Sequence, residues 1–151
     1  MKQTPLKRNT PLRKKRRAKT HDAIIKEAST GRKLTRSQLI KLCDPIWSKL
    51  VKLHAHGLCE WCGKPAADSH HMLSRRNMST RFKPENGVAL CKGCHLHFHN
   101  NESLTGWEKL KEQRPESYEV ICLFKGVEAK YGVEDLRTIL ADLRAKVKEF
   151  G

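Results

Sequence analysis

Toward the C-terminus, Leu136, Ile139, Leu140, Leu143 and Val147 recur at intervals of three and four. That is the period of one helical face, so an amphipathic helix with its stripe on the core is predicted. Earlier, Thr35-Arg36-Ser37-Gln38 has the form of a capping box, opening a short helix through Leu39, Ile40 and Leu42. Asp44-Pro45 then suits an N-cap and first helical position, predicting a second helix through Ile46, Trp47, Leu50, Val51 and His54. Trp107 to Gln113 and Tyr118 to Tyr131 also carry helical patterns. The centre, about 58–100, differs: short apolar pieces are broken by Gly, Pro and Asn. There the pattern predicts a strand from Asp68 to Leu73, a basic loop over 74–86, a strand from Gly87 to Cys91 and a helix from about Cys94. The expected fold is α+β, mainly helical, with helices on both sides of a central module too short to build its own core.

Residues 1–20 contain no acidic residue, and TPLKR at 4–8 is echoed by TPLRK at 10–14. Pro5, Pro11 and the charge density predict a disordered basic arm, leaving 21–151 as the folded domain. The charge is uneven: of a formal +15, residues 1–41 carry +12 and the remainder +3. A cationic arm on a nearly neutral body suits a polyanion, because each phosphate neutralised by Lys or Arg releases counterions. The arm's Arg13, Lys14, Lys15, Arg16 and Arg17 are therefore candidate DNA contacts, with mere solubility or an anionic membrane surface as the alternatives. No segment reaches 18 consecutive apolar residues, and no apolar run follows the basic start. A cytoplasmic protein without membrane attachment is expected. In that compartment the six cysteines stay reduced, which favours metal ligands or buried thiols over disulfides.

Four of those thiols form two pairs, Cys59-Glu60-Trp61-Cys62 and Cys91-Lys92-Gly93-Cys94, with 28 residues between them. Two residues between thiolates let a tight turn aim both sulfurs at one tetrahedral ion, and two such turns close a structural zinc site. Gly63 and Gly93 stand where such turns would use a permissive backbone. A redox CxxC would need a βαβ context and leaves the second pair unexplained. Cys43 and Cys122, in apolar helical patterns, are expected to be small buried hydrophobes. The stretch CKGCHLHFH at 91–99 adds three histidines. His95 and His99, four apart, share a helical face and suit a common metal, whereas His97 points away by roughly 200°.

His71, Asn86 and His95, set within the CxxC…CxxC frame, resemble the HNH nuclease signature, the ββα-metal fold, over about 59–99. The doubled histidine and the HxxxH are similar to the all-histidine metal sites of colicin-type HNH nucleases. The cysteine frame and the basic arm resemble phage recombination-associated nucleases of the NinG and Ref kind. The resemblance implies a metal-dependent DNA endonuclease leaving 5′-phosphate and 3′-hydroxyl ends, in the host cytoplasm if phage-encoded. It implies that His71 is the general base and that Asn86 holds the His71 segment or ring. It further implies that His70, His95 and His99 bind a catalytic divalent ion beside the leaving oxygen. His70 and His71 are sequence neighbours, so both can serve one site only at a strand end or bulge.

The chemistry asks for the same parts. Phosphodiester hydrolysis needs a base, a charge stabiliser at the leaving oxygen and cations around the phosphate. Arg75, Arg76 and Arg81 in the basic loop are candidates for the last role, since guanidinium binds phosphate bidentately. Imidazoles favour Zn²⁺ or Ni²⁺, while HNH enzymes of this pattern use Mg²⁺ or Mn²⁺, so the catalytic ion stays open among the four. Asp68 is a further candidate carboxylate ligand. Two other readings remain at this point: a non-catalytic zinc module that binds DNA or RNA, and a recombination accessory protein whose partner is a recombinase filament.

Overall fold

Thr35 caps the helix that follows it, and the reciprocal bonds of a capping box are both made. The Thr35 hydroxyl accepts from Gln38 N at 3.3 Å, and Gln38 Oε1 accepts from Thr35 N at 2.8 Å. The structure, a computed structural model, describes residue 23, residues 33–101 and residues 103–151. The basic arm, with its five candidate DNA contacts, lies outside the described residues. Helix α1 runs unbroken over Arg36–His54 with Pro45 inside it. The expected boundary at Asp44-Pro45 is therefore absent. An interior proline costs about 3 kcal/mol, and here it is outweighed by burial on both sides of it. Leu39, Leu42 and Cys43 before Pro45, and Trp47, Leu50 and Val51 after it, all lie in the core.

Strand β1 (Asp68–His71) pairs antiparallel with β2 (Gly87–Leu90), with Asp68 opposite Leu90 and His71 opposite Gly87. A 3-10 turn, Pro84–Asn86, leads into β2. Helix α2 (Lys92–Asn101) follows at once, then α3 (Ser103–Gln113), α4 (Pro115–Leu123) and α5 (Val133–Phe150). The described residues are thus mainly helical around one small two-stranded sheet. None of their helices is long and apolar enough to cross a membrane. The pattern over Tyr118 to Tyr131 predicted one helix, but α4 stops at Leu123 and the chain turns through Gly126 at φ 86°. That left-handed conformation is a glycine's.

Two apolar clusters sandwich the sheet. One joins α1 to α5 through Leu39, Leu42, Trp47, Leu50, Leu136, Leu140 and Leu143, with Phe82 and Ala89 added from the central module. The expected stripe on α5 is thus buried, with Ile139 and Val147 packed at its border. The second cluster gathers Cys59, Met72, Val88, Leu90, Phe98, Leu110 and Ile121. β2 is buried along its whole length because Ala89 faces one cluster and Val88 and Leu90 the other. Gly87 lets α1 come this close: a Cβ there would overlap Val51 and lie 2.9 Å from the Trp47 ring.

The two leftover thiols have opposite surroundings. Cys43 is fully buried, and burial pushes its pKa up to about 12. Cys122 is exposed, so its expected burial does not hold: α4 turns that face to solvent. In the native protein a thiol reagent is expected to modify Cys122 rapidly and leave Cys43 untouched until the chain unfolds. Mass mapping of the labelled cysteines with and without denaturant checks this.

Candidate functional site

The central module brings its cysteines into one cluster. The first pair sits on a turn closed by Gly63 N donating to Cys59 O at 2.9 Å, with Gly63 at φ 71°, a conformation that favours glycine. The second pair opens α2, and there Gly93 sits in ordinary helix, not in the permissive turn expected for it. The Sγ atoms of Cys59, Cys62, Cys91 and Cys94 all lie within 4.8 Å of one another, Cys62 and Cys91 being 3.6 Å apart. Tetrahedral thiolates around zinc at 2.3 Å stand about 3.8 Å apart, so the donor set fits such an ion. The charges point the same way. The N–H of Cys94 bonds Cys91 Sγ at 3.4 Å and helps to draw that thiol down to about 7. Burial, and then the other cysteine sulfurs, push the Cys94 thiol well up. A cation at the centre removes that conflict, because a coordinating thiol is deprotonated outright. Four close cysteines able to hold a structural ion such as zinc are therefore present.

The first cysteine turn is tied to the sheet by a residue that no spacing argument singled out. Glu60 N donates to Ala89 O at 3.0 Å, and Glu60 Oε1 accepts from Ala89 N at 2.7 Å. Arg114 then donates Nη1 to Glu60 Oε2 at 3.1 Å and to Gly87 O at 2.7 Å. The outer edge of β2 is satisfied by these two side chains and the cysteine turn.

A second cluster stands beside the first. Ring nitrogens of His70, His95 and His99 lie within 4.8 Å of one another, with His95 Nε2 and His99 Nε2 3.2 Å apart. Two imidazoles on one tetrahedral ion at about 2.0 Å hold their nitrogens about 3.3 Å apart, so this donor set also fits a divalent ion. His70 comes from β1 and is buried against the Phe98 ring, centroids 4.1 Å apart. His95 and His99 come from successive turns of α2. Burial, and then the two neighbouring histidines, bring His70 down to about 4, so it is a neutral donor at physiological pH. Asp68 does not join the three nitrogens. Its Oδ2 lies 3.1 Å from His95 Nδ1, which leaves His95 Nε2 facing His99. His97 is exposed on the helix.

His71 takes the opposite face of β1, at the strand's last position. Its ring stacks on Trp47 of α1, centroids 3.7 Å apart and planes 12° apart. Its Nε2 lies 2.9 Å from Arg81 O. A carbonyl only accepts, so Nε2 carries the proton and Nδ1 keeps the lone pair. Burial holds His71 below the ordinary imidazole value, against the upward pull of that carbonyl. Asn86 is fully buried and braces the segment just beyond the strand. It accepts from Leu73 N at 2.7 Å and donates to Leu73 O at 3.0 Å and Thr80 O at 3.2 Å.

Of the three loop arginines, Arg75 and Arg76 are exposed. Arg81 is not available as a free phosphate ligand: its guanidinium holds Asp44 bidentately, at 2.9 and 2.7 Å, and Arg75 O at 3.1 Å. Trp47 and Asp44 escaped the sequence reading because each already had an explanation, Trp47 as an apolar position of a helical stripe and Asp44 as an N-cap. No protein-family model matches the chain, and comparison with curated proteins and with solved structures gives no match.

An ion in the cysteine cluster would contribute about 10 kcal/mol or more to folding, comparable to the whole stability of a domain this size. Cys59→Ser or Cys94→Ser is expected to lose one zinc per chain and melt the central module. Metal analysis and thermal denaturation check both effects, and unchanged values would exclude a structural ion here.

Proposed function

We propose that the chain is a metal-dependent HNH-type DNA endonuclease. The observation that carries this reading is the convergence of His70, His95 and His99 on one point, with the next residue of the chain, His71, bonded to a carbonyl so that its Nδ1 is left as a base. A zinc module built only to bind nucleic acid would need the cysteines. It would have no use for three imidazoles converging on a point with a fourth held on a carbonyl.

In this reading, His70, His95 and His99 would hold a divalent ion, which would supply Lewis-acid stabilisation of charge on the departing 3′ oxygen. His71 Nδ1 takes a proton from water, and the water oxygen attacks phosphorus. The P–O3′ bond breaks, the departing 3′ oxygen takes a proton from solvent to become the hydroxyl, the 5′-phosphate is left, and the imidazolium returns its proton to solvent. His71 occupies the last position of β1, a strand end, where a neighbour of His70 could turn toward the same site. Asn86 keeps the segment after His71 in place, and the exposed Arg75 and Arg76 lie on the loop that would face the phosphates. The cysteine cluster, with zinc, braces the base of α2 and hence the ligands on it. The basic arm supplies affinity independent of sequence.

Plasmid incubated with the protein and a panel of Mg²⁺, Mn²⁺, Ni²⁺ and Zn²⁺ should be nicked or linearised. His71→Ala should lower kcat by roughly 10²- to 10⁴-fold, the usual contribution of a general base, with folding, zinc content and DNA affinity kept. His99→Ala should instead weaken the activating metal, seen by calorimetry. Cleavage by His71→Ala at the wild-type rate would exclude the base assignment.

Deleting residues 1–20 removes nine cationic side chains and no acidic one. If all nine meet phosphates, the slope of log affinity against log salt becomes shallower by about 8. Fluorescence anisotropy across a salt series measures this, and an unchanged slope would show that the arm makes no phosphate contacts.

A further inference from the structure

Helix α1 lies outside the strand–strand–helix module, yet Trp47 and Ser48 touch the strand that carries His71 and Asp44 holds the loop residue bonded to it. Asp44, Trp47 and Ser48 sit at positions i, i+3 and i+4 and so share one face. Ser69 Oγ donates to Ser48 O at 2.9 Å and lies 2.9 Å from Ser48 Oγ, pinning β1 to the helix one residue before His70. Trp47 Nε1 donates to Lys83 O at 2.9 Å, which locks the indole, and the His71 ring lies flat on it. Asp44 grips the Arg81 guanidinium through both carboxylate oxygens. The backbone of that same Arg81 supplies the carbonyl bonded to His71 Nε2.

We infer that Trp47 and the Asp44–Arg81 pair are positioning residues for the general base, a reading that rests on the proposed nuclease function. An imidazole on its Cα–Cβ stem has two rotations to lose. The indole face removes one by setting the ring plane. The Arg81 carbonyl removes the other by setting which nitrogen turns inward, and Asp44 determines where that carbonyl stands. Asn86 acts on the segment after the strand through Leu73. The ring itself is oriented from α1.

The test uses the full-length protein and substitutions that keep the fold. Asp44 is about one-third exposed, so Asp44→Asn costs little packing. Trp47→Phe keeps an aromatic ring but loses the donor to Lys83. Both variants should keep zinc content, metal affinity at the histidine cluster and KM for DNA. Their kcat should fall between about 10- and 100-fold, the scale expected for a reacting group displaced by an ångström or so. Exchanging the charges in Asp44→Arg/Arg81→Asp should restore part of the Asp44→Asn loss, since the carbonyl at 81 belongs to the backbone.

A readout independent of cleavage is the long-range ¹H–¹⁵N spectrum of the histidines. His71 should show the Nε2–H tautomer in the wild type and a mixture in both variants. Wild-type kcat with an unchanged His71 signature in both variants would overturn the inference while leaving the nuclease reading intact. A wild-type protein that cuts no DNA with any ion would overturn the nuclease reading, and the positioning role with it, as a separate and recognisable result.

Discussion

Two strands of four residues each do not hold together in water on their own, since an isolated hairpin is marginal at best. The two candidate metal clusters are both built on or beside such a hairpin, so its bracing is the governing constraint. The bracing comes from three directions. The cysteine cluster joins the turn before β1 to the helix after β2. Glu60 and Arg114 occupy the edge of β2 that would otherwise be bare. Asn86, sealed from solvent, spans the far end of the hairpin from Leu73 to Thr80. Each brace satisfies backbone groups that burial would otherwise leave unpaired, at a cost of about 1–3 kcal/mol apiece.

The pleat of β1 sorts its two histidines. Successive side chains of a strand point to opposite faces, and His70 and His71 obey that rule. His70 meets α2 and the other two candidate ligands, while His71 meets α1 and an aromatic face. The doublet thus sends one imidazole to the histidine cluster and the other to Trp47 with no bulge. The two apolar clusters on either side of the sheet give each histidine its own packed backing, Phe98 behind one and Trp47 behind the other.

What the sequence disclosed, and what it hid, follows from the range of each interaction. The capping box at Thr35, the stripe on α5, the CxxC turns and the His95–His99 spacing are local. A few bonds of chain connect cause and effect, so periodicity reveals them. The passage of α1 through Pro45 was hidden because the tertiary burial that outweighs the proline lies on α5, far along the chain. Arg81 looked like a phosphate ligand because its loop is basic. Only the fold brings Asp44, 37 positions away, against it. Arg114 and Glu60 are separated by 54 positions and carry no motif at all. Cys122 was misjudged for a related reason: a helical pattern shows that one face is apolar, but not whether every member of it finds cover.

Helix α2 carries ligands for both candidate centres within ten residues, Cys94 and His95 being neighbours on it. With an ion in each, a rigid rod shared in this way would make the two sites thermodynamic partners. Whatever factor occupation of one confers on the other's affinity must be returned in equal measure. The supply of an ion at the cysteines would then set how readily the histidine cluster captures its own, with no change at any imidazole.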